Sequence, residues 1–201
     1  MKTLIKNGLL IDPANQVQAY LNLILEDGKV VAVTEEEPEA DRVIDATGKV
    51  VAPGFIDIHM HEDPVKDGKI EFCIFDAMLR MGVTTAVGGN CGINVYDPVK
   101  YLDMVEKDGV PVNVMLFAGH QYFREAAGAL DKYAPVTKEQ QEHMKKGLEK
   151  ALEAGCVGIS YGLRYVPGIG RDEFLDTASC CEKEHRMISA HVRDDEDRVF
   201  G

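Results

Sequence analysis

Two rhythms of apolar and polar positions divide this chain. Up to about residue 50 the apolar runs are short: Lys2 to Ile11, Leu21 to Leu25, Val30 to Val33 and Arg42 to Asp45. Turns at Glu26-Asp27-Gly28-Lys29 and Thr47-Gly48-Lys49 punctuate them. Short runs, glycine turns and no long amphipathic stretch predict a small antiparallel sheet over residues 1–51. Glu35, Glu36, Glu37 and Pro38 read as a solvated loop between strands.

From Val50 onward, strand-like runs alternate with helix-spaced ones. An apolar run from Val50 ends at Ile58, and Ile74, Phe75, Met78 and Leu79 then recur at helical spacing before Gly82, where a glycine just past a helix end belongs. Val83 to Val87 is β-branched, and Asp97-Pro98 reads as the cap and first residue of a second helix ending near Gly109. Val112 to Phe117 is a third strand. Thr137 and Gln140 form a capping-box pattern, with Met144, Leu148 and Leu152 as one apolar stripe and Gly155 as the stop. Cys156 to Ser160, a helix from about Asp172 to His185, and Met187 to His191 complete the pattern.

Alternating β and α units predict an α/β domain over residues 52–201, a parallel sheet covered by helices. Each strand runs into a loop rich in glycine and polar residues, the edge where barrels and open sheets alike build their sites. The pattern holds about five strands and four helices, whereas a closed (β/α)8 barrel needs about eight of each. The domain is therefore an open sheet or part of a barrel. Asp194 to Gly201 reads as the start of a further helix, so the chain is expected to be truncated.

Composition narrows the function classes. The 201 residues are 45% hydrophobic and 28% charged, ordinary for a globular protein. A formal net charge of −12 argues against a nucleic-acid binder, which needs clustered Lys and Arg. No run reaches membrane-spanning length, and Lys6, Asn7 and Asp12 interrupt any signal-peptide core, so the cytoplasm is the default compartment. Five cysteines without regular spacing (Cys73, Cys91, Cys156, Cys180, Cys181) read as reduced thiols.

The chemistry concentrates at strand ends. His59 and His61 stand two apart at the end of an apolar run, and on a strand such residues point to one side. One strand-capping and one solvated histidine is the plainer reading of that pair. Cys91 follows the second strand in Gly89-Asn90-Cys91-Gly92, and His191 ends the fifth. A free cysteine at a tight turn is commonly a small buried hydrophobe. Three separate strands delivering imidazole or thiol to one edge favour a borderline-soft metal such as zinc, which a thiolate can also bridge between two ions. A metal so held lowers the pKa of a water it binds to about 7 and polarises a carbonyl. A carboxylate base is still required. Asp57, Glu62 and Asp63 are nearby, and none stands out as that base.

Pro53-Gly54-Phe55-Ile56-Asp57-Ile58-His59-Met60-His61 resembles the first-strand signature of the amidohydrolase superfamily. Gly89-Asn90-Cys91-Gly92, Ala118-Gly119-His120, Gly158 to Gly168 and Ala190-His191-Val192-Arg193-Asp194 together resemble its N-acyl-D-amino-acid deacylase (D-aminoacylase) branch. The resemblance implies a TIM-type barrel preceded by part of a small β-sandwich, one or two zinc ions, and a small N-acyl amino acid as substrate. It makes His59 and His61 ligands of one metal position and His191 of the other. Cys91 takes the bridging place that many relatives fill with a carboxylated lysine, and no lysine occurs between Cys156 and Leu163. Tyr165 would line the substrate site, with Arg193 and His120 beside it. A further histidine and a general-base aspartate belong to later strands of the family, beyond Gly201, so these residues alone are expected to be inactive. Arg164 and Gln121-Tyr122-Phe123 depart from the branch and leave the acyl and side-chain preference open. Two alternatives stand: a cyclic-amide hydrolase resembling hydantoinases or dihydroorotase, and a non-catalytic metal-binding or scaffold remnant. Five unclosed strands would also invite an oligomer or a completing segment.

Overall fold

The first apolar run is cut in two by its own backbone. Asn7 adopts a left-handed φ of 65°, and a Cβ on Gly8 would come within 2.6 Å of Val51 Cγ2. The run therefore becomes β1 (Lys2–Lys6) and β2 (Leu9–Asp12), which join different sheets. The computed structural model describes residues 1–183 and 185–194, so the expected helix start over 194–201 lies, Asp194 aside, outside the described residues. The chain divides into two compact units, Met1–Gly54 and Phe55–Gly201.

The first unit adds β3 (Val17–Tyr20), β4 (Asn22–Glu26), β5 (Lys29–Thr34), β6 (Arg42–Asp45) and β7 (Val50–Val51). One sheet has the order β5-β4-β1-β6 and the other β3-β2-β7. The expectation of a purely antiparallel sheet is corrected here, because β1 pairs parallel to β6 and β2 parallel to β7. Short turns join the antiparallel pairs β2–β3 and β4–β5, while long connections return β6 and β7 in the parallel sense. β3 was not expected, since Val-Gln-Ala-Tyr is only four residues long and none of them is fully buried. Residues of both sheets, including Ile5, Leu23 and Leu25 from one and Leu10 and Val51 from the other, line an apolar cavity of about 550 Å³.

The second unit begins with β8 (Phe55–Asp57) and a small hairpin, β9 (Val65–Lys66) with β10 (Lys69–Ile70). Then follow α1 (Cys73–Arg80), β11 (Val83–Gly88), α2 (Pro98–Asp108), β12 (Asn113–Gly119), α3 (His120–Ala126), α4 (Lys138–Glu153), β13 (Gly158–Gly162), α5 (Arg171–Ala178) and β14 (Met187–His191). The sheet order is β14-β13-β12-β11-β8, every pair parallel. The apolar run from Val50 to Ile58 is not one buried strand. Pro53 breaks it, β8 is an edge strand, and Phe55 and Ile56 are exposed.

The helix signals act as their chemistry predicts. Asp97 accepts a bond from Lys100 N at the start of α2, Thr137 and Gln140 complete a capping box on α4, and Gly82 follows α1 at φ +85°. At the start of α1 the Asp63 carboxylate accepts the N–H groups of Cys73, Ile74 and Phe75 at 3.1, 2.7 and 2.8 Å, satisfying donors that have no partner within the helix. The helix expected from Asp172 to His185 is shorter, ending at Ala178 and tightening into a 3₁₀ turn over Ser179–Cys181. α3 was not expected, because it starts directly at the strand end with no side-chain cap to announce it.

The core lies between sheet and helices: Phe75 and Met78 of α1, Tyr101 of α2, Met144, Leu148 and Leu152 of α4, and Ala86, Leu116 and Ile159 of the strands. The sheet is curled. Laid flat, β8 and β14 would lie about 19 Å apart at about 4.8 Å per strand. Yet the Asn90 amide donates to Ile58 O just past β8 at 3.2 Å and accepts from Ser189 Oγ on β14 at 3.4 Å. One side chain thus reaches both edges.

Candidate metal centre

The Gly89–Gly92 turn carries the thiol. Gly89 and Gly92 take φ of 72° and 78°, and Cys91 between them takes 58°, a left-handed conformation that costs a non-glycine residue about 1–2 kcal/mol. The turn is tied down from β13: Gly92 N donates to Ser160 Oγ at 3.0 Å, and Ser160 Oγ donates to Gly89 O. Close approach needs glycine on all sides. A Cβ on Gly89 would lie 2.1 Å from Phe117 O, on Gly119 2.7 Å from Gly92 C, and on Gly162 2.2 Å from Cys91 O. The ends of β11, β12 and β13 therefore pack backbone to backbone, and the thiol is fixed at their junction.

Two edge strands bring imidazoles to it. His59 and His61 lie just beyond β8 rather than within it. The strand alternation nevertheless continues: Met60 between them is buried and donates its N–H to Val87 O at 3.1 Å, while both histidines are exposed. His59 Nε2 lies 3.3 Å from Cys91 Sγ, and donor atoms of His59, His61 and Cys91 all fall within 4.8 Å of one another. From the opposite edge, His191 Nδ1 lies 3.7 Å from the same sulfur. Tetrahedral zinc with bonds of about 2.0–2.3 Å sets its N and S donors roughly 3.3–3.8 Å apart. Both sulfur–nitrogen separations fall in that range, so the donor set fits such an ion. Burial pushes the Cys91 thiol up, opposing ionisation in the absence of a cation.

The nearby carboxylates have structural partners. Asp57 accepts the His59 backbone N–H at 3.0 Å and so fixes the loop that carries His59 and His61. Asp63 is spent on α1. Glu62 is buried, accepts from Asn94 Nδ2 at 2.7 Å, and has its pKa raised by burial against the lowering effect of Asn94. The Asn94 carbonyl oxygen in turn accepts from Gly119 N at 2.7 Å.

The remaining residues singled out in the sequence separate. The Tyr165 hydroxyl lies 3.2 Å from His191 Nδ1, with the two rings 4.7 Å apart. Arg193 is turned to main chain, donating to Pro167 O at 3.1 Å and to Ile169 O. His120 is fully buried, its ring 4.9 Å from that of Tyr161 and its Nε2 3.3 Å from Glu173 Oε1. Asn90 and Ser160, which hold the cysteine turn, were not anticipated. The available signal was a polar residue inside Gly-Ile-Ser-Tyr-Gly, a strand buried at every position.

Residues 42–164 match the Amidohydrolase family. N-acyl-D-glutamate deacylase of Alcaligenes xylosoxydans xylosoxydans is 30% identical over 97% of this chain and 44% of its own length. The crystal structure of N-acyl-D-glutamate deacylase from Bordetella bronchiseptica, complexed with zinc and a phosphonate inhibitor, superposes with a TM-score of 0.81 at 30% identity, covering 98% of this chain and 46% of that one. A D-aminoacylase studied for its binuclear metal centre gives 0.86 at 25% identity, over 98% and 46%. The chain thus spans less than half the length of these relatives. No helix among the described residues is long and apolar enough to cross a membrane. A family match over more than half of the sequence, continued as a shared fold across nearly all of it, means that this chain belongs to the amidohydrolase family.

Proposed function

We propose that this chain supplies the metal-binding part of a zinc-dependent hydrolase that cleaves the acyl C–N bond of N-acyl-D-amino acids. The observation that carries the reading is the single sulfur of Cys91 set 3.3 Å from His59 Nε2 and 3.7 Å from His191 Nδ1. On this reading His59 and His61 hold one metal position, His191 belongs to the other, and Cys91 stands between them, for one or two zinc ions. The 1–51 region is part of a small β-sandwich and 52–201 part of a (β/α)8 barrel.

Zinc, when bound, supplies Lewis acidity toward an acyl carbonyl and toward water. The chain's own residues do the rest. Asp57 fixes the His59 backbone, the Ser160-braced turn fixes Cys91, and Tyr165 orients His191 while presenting a half-exposed ring to the substrate. Arg193 acts through the turn that carries Tyr165, since its guanidinium is occupied by Pro167 and Ile169. His120, sealed from solvent, acts at a distance too. Asp57, Glu62 and Asp63 are assigned to structure, and none to the proton transfer.

The test is a substrate panel on the protein isolated from its source and loaded with zinc. Release of free amino acid from N-acetyl-D-amino acids, lost on chelation, is the expected outcome. Faster turnover of hydantoins or dihydroorotate would replace the reading with a cyclic-amide hydrolase. Zinc binding with no hydrolysis of either class would leave a metal-binding scaffold.

A further inference from the structure

Apart from the metal donors, the structure holds a buried ion cluster on α3 and α5. Arg124 on α3 is 2% exposed, Glu173 on α5 4% and His120 0%. Arg124 Nε donates to Glu173 Oε1 at 3.1 Å, and His120 Nε2 lies 3.3 Å from the same oxygen. The rest of the guanidinium goes to main chain. Nη1 donates to Ala129 O at 3.3 Å and Asp131 O at 2.9 Å, and Nη2 donates to Ala134 O. A single side chain therefore holds three carbonyls of the segment 129–134.

That segment is stitched to the next loop. Gly168 N donates to Lys132 O at 2.8 Å, and a Cβ on Gly168 would lie 2.6 Å from Ala134 O. Arg193 grips the same loop on either side of Gly168, through Pro167 O and Ile169 O. Tyr165 lies in this loop, its hydroxyl 3.2 Å from His191 Nδ1. Contact thus runs without a break from the buried Arg124 to a side chain at the metal centre.

We infer that Arg124 is a positioning residue which, by fixing segment 129–134, holds the 163–169 turn and sets Tyr165 against His191. Removing a guanidinium from water is costly, and its planar fork can serve several carbonyls at once where a lysine ammonium is a single point of charge. The consequence for substrate binding rests on the hydrolase reading above. The mechanical coupling between the two loops does not.

The decisive experiment is amide hydrogen exchange on the full protein with Arg124→Lys, read beside zinc content and steady-state kinetics. Exchange should speed up by about ten-fold or more in 129–134 and also at Leu163 to Ile169, with α1 and zinc content unchanged. With N-acetyl-D-amino acids, KM should rise about ten-fold while kcat stays within about three-fold. Acceleration confined to 129–134 overturns the inference, because a merely structural role would loosen only the segment Arg124 touches. An unchanged KM in a protein that does hydrolyse the substrate also overturns it. Should Arg124→Lys fail to fold, Gly168→Ala leaves the ion cluster intact and intrudes on the Ala134 carbonyl. It must speed exchange across 129–134 as well as in 163–169, where it sits, or the coupling is wrong. Coupled exchange in a protein that hydrolyses no acyl amino acid would support the clamp and remove the hydrolase reading.

Discussion

His59 and His120 each stand beside a group of opposite chemical need, one a thiol and the other a carboxylate, but in opposite surroundings. His59 is exposed at the strand edge with Cys91 Sγ 3.3 Å away, and His61 and His191 approach the same sulfur. His120 is sealed, with Glu173 3.3 Å away and Arg124 completing the cluster. At the open cluster several donors converge on one point with room for an ion. At the sealed one the carboxylate already has a permanent cation, so the cluster's value is in what its guanidinium holds. Ligand type alone does not separate a metal centre from a structural ion cluster; access and the presence of an internal counter-charge do.

Experiments that break this comparison rank by size. Cys91→Ala removes the donor shared by both sides of the open cluster, and zinc affinity should fall by about 100-fold or more. Unchanged zinc content after chelator competition would end the bridging assignment. In the sealed cluster, Glu173→Leu strands the Arg124 charge and should destabilise by about 3–5 kcal/mol in denaturant unfolding while zinc content per folded molecule holds. A loss of zinc in that variant would show that the two clusters are not separable.

Smaller effects test the turn that carries the thiol. Gly92 has φ +78° and its Cβ would meet Gly162 N at 2.7 Å, whereas Gly48 has φ +71° with nothing within 4 Å. Gly48→Ala should therefore cost about 1 kcal/mol from backbone strain alone, and Gly92→Ala about 3 kcal/mol. Equal losses in thermal unfolding would mean that the backbone contact at Gly162 is not tight. The smallest effect is at Asp45, whose carboxylate accepts from Thr47 Oγ1, Asn7 Nδ2 and Thr47 N, holding its pKa at about 2. Because the folded pKa lies below the usual carboxylate value of about 3.9, its contribution is present above that pH and fades as pH falls toward the folded value. NMR titration should find the low midpoint and see it rise in Thr47→Val, with no change at the metal centre.

Much of the fold was legible because local signals and tertiary packing agree. The Asp97 cap, the Thr137 box, Gly82 and Gly155 bound helices in the sequence as they do in the structure, and the Met144, Leu148, Leu152 stripe is the buried face of α4. What escaped has a common cause. α3 lacks a side-chain cap, β3 is four residues long with no fully buried position, and the parallel pairing of β6 and β7 depends on partners distant in the chain. In the metal centre, the histidines and the cysteine stand out by type and spacing. Asn90, Ser160 and Arg124 do not, since a buried amide, hydroxyl or guanidinium has no local sequence signature.

By itself the sequence determined which residues offer metal-binding donors and that each stands at the end of a strand or in the turn beyond it, because strand periodicity and turn chemistry act over a few neighbours. Only the tertiary structure decided that these donors meet. His59 and His191 are attached to opposite edges of the sheet, and curling together with backbone contact at Gly89, Gly119 and Gly162 sets both beside one sulfur. Tertiary packing likewise decided that His120 faces a buried carboxylate and Arg193 a pair of carbonyls, since burial and partner choice depend on packing between elements far apart in the chain.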